Sequence, residues 1–210
     1  QLAQVDDSGD TLLHKAAGVE DTAMLALLLA KGAAVNARNY DGITPLLKAA
    51  SHGHLNAVKL LLEQGADPAI RDHKGHTFLH NAASGGNLGI VSLALSKDGN
   101  VKALDDYGCT PLHLALGETG DDSFFGAFLG VFEDMMQGLA AQMMEQMIAS
   151  LPDAEQAKLK AALGDITDPT AGVVKLLLDA GADVNAANEL GNTPLLAAAP
   201  LAFRGTVWLK

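Results

Sequence analysis

The chain has 210 residues, 49% of them hydrophobic and 19% charged, which places it among globular rather than disordered sequences and allows a sizeable core. Lys plus Arg number 14 against 25 Asp plus Glu, a formal net charge of −11 with no basic cluster to offset it, which argues against nucleic acid or an anionic membrane as partner. Cys109 stands alone, so neither an internal disulfide nor a thiolate metal cage can form, and no apolar run reaches the ~18 residues of a membrane span. The sequence opens on Gln1 rather than Met, which leaves the compartment unknown: exported or periplasmic if Gln1 is a processed end, cytoplasmic otherwise.

A first unit opens on Asp6, passes Gly9 and continues as "TLLHKAA" from Thr11. The same order returns with Asn39, Gly42 and "TPLLKAA" from Thr44, then with Asp72, Gly75 and "TFLHNAA" from Thr77. It returns again with Asp105, Gly108 and "TPLHLAL" from Thr110, so that the four Thr are evenly spaced at a period of thirty-three. A fifth copy, with Asn188, Gly191 and "TPLLAAA" from Thr193, comes fifty positions later than that period would place it. Thr followed by Pro suits a helix start, because Thr caps the first turn and Pro is tolerated at its first position. Leu46, Ala49 and Ala50 then form one apolar stripe, with small Ala allowing close helix packing. The Gly supplies a positive φ, and the Asx beside it can bond its own backbone. Copy three departs from the pattern, with Asp98 where Gly32, Gly65 and Gly181 stand, and copy five ends in "PLAFRGTVWLK", which loses it.

The "G-x-TPLH-x-A" starts, the segments "AVKLLLEQGADPAI" (57–70) and "VVKLLLDAGADVNA" (173–186), and the even spacing of the copies resemble an ankyrin repeat protein over about 6–119 and 170–200. The resemblance implies an all-α repeat solenoid of about five repeats, starting near 6, 39, 72, 105 and 188 within a single domain 1–210. It implies antiparallel helix pairs stacked side by side, with hairpin-like loops at right angles. It also implies that His14, His80 and His113, in the fourth place of the signature, tie one repeat's backbone to the next.

Between the fourth and fifth copies, residues 120–169 interrupt the pattern after the first helix of repeat four. Residues 124–151 carry fourteen large apolar side chains, and at about 100° per residue Phe125, Phe128, Leu129, Phe132, Met136, Leu139, Met143 and Met147 fall on one stripe. That spacing predicts an amphipathic helix, capped by Asp122 or Ser123 and about 42 Å long. A second helix opens at "SLPD" (150–153) and closes at Gly164, giving a helical hairpin. The block carries nine acids and two Lys, a net of −7. Its central stripe is expected to pack, on the repeats or on a second copy, leaving Phe124, Val131, Met135, Met144 and Ile148 at its sides for a partner. Joining Thr119 to Thr170 restores the register of repeat two without a gap.

Catalytic motifs are missing from the sequence: there is no G-x-S-x-G elbow, no Gly-rich phosphate loop and no H-E-x-x-H. His52, His54, His73 and His76 are expected on the variable surface, without a carboxylate or Cys at ligand spacing, and Cys109 reads as a small turn residue. No cofactor and no metal are expected. The resemblance instead implies a non-catalytic interaction module, docking on another protein to regulate or inhibit it through a concave face of hairpin tips and inner helices, through the insertion, or both.

Mapped onto this sequence, the tips are Tyr40, Asp41 and Ile43; His73, Lys74 and His76; Asp106 and Tyr107; Glu189 and Leu190. The exposed inner-helix positions are Lys15, Val19, Lys48, Ser51, His52, Asn81, Ser84 and Leu114. Of these, Tyr40, Ile43, Lys48, Ser51, His52, His73, His76, Asn81, Ser84, Tyr107 and Leu114 are the expected partner-binding residues, joined by the five named on the insertion. Two rival readings are an enzyme or metal protein using the His-rich surface, and a membrane-surface protein using the insertion helix.

Overall fold

A computed structural model describes residues 4–97, 99–117, 169–194 and 197 of the chain. The expected helical hairpin, the departure at Asp98 and the C-terminal stretch therefore lie outside the described residues. Those described form α1 (Leu12–Ala17), α2 (Thr22–Ala30), α3 (Pro45–Ser51), α4 (Leu55–Glu63), α5 (Phe78–Ser84), α6 (Leu88–Ser96), α7 (Pro111–Ala115) and α8 (Pro169–Asp179). α8 takes in Pro169, the last residue of the expected insertion, because Pro is tolerated in a first helical turn. The described residues hold no strand, only an isolated antiparallel bridge between Val5 and Thr11, so the hairpin-like loops are turns.

Each inner helix starts where a Thr ends its extended approach. The hydroxyls of Thr11, Thr44 and Thr77 accept from the backbone N–H of His14, Leu47 and His80. Leu13, Leu46, Leu79 and Leu112 then point into the core, each 1% exposed, and paired alanines in α1, α3 and α5, with Ala115 in α7, let the four helices pack in sequence. A Cβ on Gly85 would lie 2.1 Å from the Ala50 carbonyl oxygen, so only glycine permits the approach of these two inner helix ends. α2, α4, α6 and α8 form a second layer, each packed on its neighbour and on an inner helix. Val58 and Leu61 of α4, Ile90 and Val91 of α6, and Val173 and Leu177 of α8 face inward and are fully buried. Burying side chains of this size contributes about 1.5–3 kcal/mol each, and their cover comes from their own repeat and from its neighbours together. This is the all-α stack of helix pairs that the repeat implied.

Candidate functional site

The turns between helix pairs share one frame. Asp6, Asn39, Asp72, Asp105 and Asn188 each place Oδ1 to accept two backbone N–H groups, two and four residues on, at 2.8–3.1 Å. Gly9, Gly42, Gly75, Gly108 and Gly191 close the turns at φ between +74° and +81°, a region that side chains disfavour. Successive tips are then sewn together through their backbones. Tyr40 N–H donates to Ser8 O at 3.2 Å, His73 to Asp41 at 2.8 Å, Asp106 to Lys74 at 2.9 Å and Glu189 to Tyr107 at 3.0 Å. The first three pairs are equally spaced along the chain, and only Tyr107 and Glu189 are further apart. The row of tips therefore continues from the fourth copy to the fifth across the interruption.

The histidines of the signature reinforce this stitching. Thr11 N–H donates to His14 Nδ1 at 3.2 Å, which places the ring proton on Nε2, and Nε2 donates to Ile43 O at 2.9 Å. His80 repeats the arrangement, from Thr77 N–H to Cys109 O at 3.0 Å. His113 does so from Thr110 N–H to Asn192 O at 3.1 Å. All three rings are fully buried. Burial pushes the pKa of His14 down, and that of His80 down to about 4. The second copy has Leu47 at this place, buried in the core; its junction keeps a hydrogen bond from Arg38 Nη2 to Arg71 O at 3.0 Å, which Arg71 Nη1 repeats to Leu104 O at 3.1 Å beside the His80 bridge.

The expected partner-binding residues divide by exposure. Tyr40 is 67% exposed, and Asp41, His73, Lys74, Asp106, Glu189 and Leu190 are exposed beside it along the tips, with Tyr107 half-buried. His73 Nδ1 donates to Tyr40 O at 3.0 Å, which holds two neighbouring tips in register. On the inner helices, Lys15, Val19, His52 and Ser84 are exposed and Ser51 is half-buried. Lys48 is half-buried and bound to the buried Asp10, so its charge is already committed within the chain. Asp10 is thereby held below the usual carboxylate range: burial pushes its pKa up, and Lys48 and Asn39 outweigh that.

Three expectations of exposure are corrected. Asn81 is buried, its amide turned back to Thr77 O at 3.2 Å, because a short side chain there does not reach past the adjoining helices. Leu114 is buried at the same place one repeat on. Ile43 is half-buried against the core, and its carbonyl is the acceptor for His14. Phe124, Val131, Met135, Met144 and Ile148 lie outside the described residues.

His76 and Cys109 are the residues whose place the sequence reading missed. His76 Nδ1 contacts Asp72 Oδ2 at 2.9 Å, and Nε2 lies 3.3 Å from Asp105 Oδ2 in the next repeat. The second contact is an ion pair without a directed hydrogen bond, since neither buried atom has a hydrogen-bond partner. Burial pushes the His76 pKa down, but the two carboxylates outweigh it and hold it at about 9, so the ring is a cation at neutral pH. Cys109 is fully buried, with Asn188 Nδ2 3.5 Å from its sulfur. Both stand immediately before the Thr of their repeat, as does Asp10, which accepts from Asn39 Nδ2 at 2.9 Å. The detectable signal was chemical complementarity between that position and the Asx of the following repeat. His54 is likewise drawn inward, donating from Nε2 to Gly18 O at 3.1 Å.

Among the described residues no group of three or more His, Cys, Asp or Glu could hold a metal ion, and no helix is long and apolar enough to cross a membrane. What remains is a row of exposed, chemically varied side chains on an invariant backbone frame. Such a surface can complement another protein, because the rigid frame has little conformational entropy left to lose on binding. A family model described as ankyrin repeats, in three copies, matches residues 1–72 and 64–124, and a model described as ankyrin repeat matches 161–189. No curated protein matches the chain.

Proposed function

Because the chain belongs to the ankyrin repeat family, whose repeats generally mediate protein–protein interaction, we propose that it is a non-catalytic module that binds one partner protein and regulates or inhibits it. The binding face in this reading is the row of tips together with Lys15, Ser51, His52 and Ser84 on the inner helices. One observation carries it: the turns share the same hydrogen-bonded frame, yet their exposed residues differ from tip to tip, from Tyr40–Asp41 to His73–Lys74 to Glu189–Leu190. An unvarying frame with varied exposed chemistry is the arrangement of a recognition surface.

Residues 120–169 are proposed as a helical insertion within repeat four that adds a second contact. The long step in sequence from Tyr107 to its paired tip Glu189, against the short and equal steps elsewhere in the row, supports that division of the chain. The test is the double substitution Tyr40→Ala with His73→Ala, measured against the partner recovered from the native host. Affinity is expected to fall by about 2 kcal/mol or more, roughly thirtyfold, as for aromatic interface anchors. Thermal stability should fall by no more than about 1 kcal/mol, the scale of the one exposed hydrogen bond from His73 to Tyr40 O. Unchanged affinity would place the contact elsewhere, and the same measurement on a chain lacking 120–169 shows whether the insertion supplies it.

A further inference from the structure

Within the stack, the leading side of each repeat is covered by the repeat before it, and its residues are chosen accordingly. α2 breaks the pattern. Its sequence "TAMLALLLA" is apolar almost all round, whereas α4, "LNAVKLLLE", exposes Asn56, Lys59 and Glu63. At those three places α2 has Ala23, Ala26 and Ala30, all three exposed. Met24 is 44% exposed, while Ala57, Ile90 and Val173 at the same place are each 0% exposed. Leu12 is 49% exposed where Pro45, Phe78 and Pro111 are buried, and Leu27 is 54% exposed where Leu60, Leu93 and Leu176 are half-buried. A helix apolar on all sides is normally covered, and among the described residues nothing covers the side of α2 turned away from α1 and α4.

The charges around this face select its occupant. Asp21 stands exposed just before α2, capping it through the Met24 N–H, and Lys31 stands exposed just after it. The Glu20 carboxylate is turned the other way, toward His54 and Asn56 of the second repeat. We propose that this face pairs with the same face of a second copy, α2 against α2 in antiparallel register about a two-fold axis near Ala26 and Leu27. That register sets Lys31 of each copy beside Asp21 of the other, twice over, and opposes the two helix dipoles. A parallel register would set like charges together. Ala23, Ala26 and Ala30 let the helices approach closely, and Met24 and Leu27 fill the space between them. The interface uses no residue of the proposed binding face, so it stands or falls apart from that reading.

The experiment is sedimentation velocity of the full chain across a dilution series, with Leu27→Glu and Ala26→Cys as variants. The wild type is expected to sediment as a dimer that dissociates on dilution, and Leu27→Glu as a monomer at every concentration with an unchanged circular dichroism spectrum. Ala26→Cys is expected to form an intermolecular disulfide under mild oxidant, since its mate lies across the axis while Cys109 is buried. A wild type monomeric throughout the series would overturn the proposal. So would a dimer that survives Leu27→Glu and leaves the Ala26→Cys thiol unlinked, an outcome that assigns self-association to another face, such as the apolar stripe of 124–151. Should Leu27→Glu fail to fold, the disulfide decides alone.

Discussion

Replacing His80 with alanine is expected to destabilise the chain by about 3–5 kcal/mol, from one stranded polar group and a cavity together. The ring is fully buried and satisfies two backbone groups at once, Thr77 N–H on one side and Cys109 O of the next repeat on the other. Removing it strands Thr77 N–H away from water at about 1–3 kcal/mol, leaves Cys109 O with its bond from Asp105 N–H alone, and opens a cavity. Because repeats are held by nearest-neighbour contacts, the loss falls on the junction between the third and fourth copies. A denaturant melt should lose cooperativity there. If His80→Ala costs less than about 1 kcal/mol, below the cost of one stranded group, the ring is filling space and not bridging repeats.

The second large effect is a pH profile with two limbs from two neighbouring histidines. His80 is held neutral, its pKa pushed down to about 4 by burial, whereas the unfolded chain binds that proton near 6.5. The unfolded state therefore takes up more protons as pH falls from about 6.5 to about 4, and stability drops across that window. His76 has the opposite sign. Its pKa is raised to about 9 by Asp105 and Asp72 against the cost of burial, so its contribution is complete below about 6.5 and is lost as pH rises through about 9. The linked change is up to about 3 kcal/mol on each limb. Stability is expected to peak near pH 6.5, and His76→Gln should flatten the alkaline limb while leaving the acid limb in place. An alkaline limb that persists in His76→Gln would mean that the ion contacts with Asp72 and Asp105 do not supply it.

Those two histidines also mark how far the sequence could be read. His14, His80 and His113 were legible because each sits at a fixed place in a repeated word, and a repeated word implies a repeated environment. The turn frame was legible for the same reason, since Asx and Gly recur at one spacing from Thr. His76 was not, because it differs from Asp10, Ile43, Cys109 and Asn192 at the same place in the other copies. Its partner Asp105 belongs to the next repeat, and only the stacking of repeats brings the two within 3.3 Å. Asn81 and Leu114 were misplaced for a related reason. Lys15 and Lys48 suggested a solvent-facing position, yet the exposure of that position depends on side-chain length and on the packing of the next helix. Tip residues such as Tyr40 and Leu190 were readable because a tight turn leaves its central side chains nowhere to go but outward.

In the proposed reading a partner meets the tips and not the outer helices. A photo-cross-linking side chain placed at His73, on an exposed tip, and separately at Lys59, on the exposed side of α4, tests it directly in extract from the native host. A covalent adduct with one protein is expected from position 73 and none from position 59. An adduct from position 59, with none from 73, would contradict it.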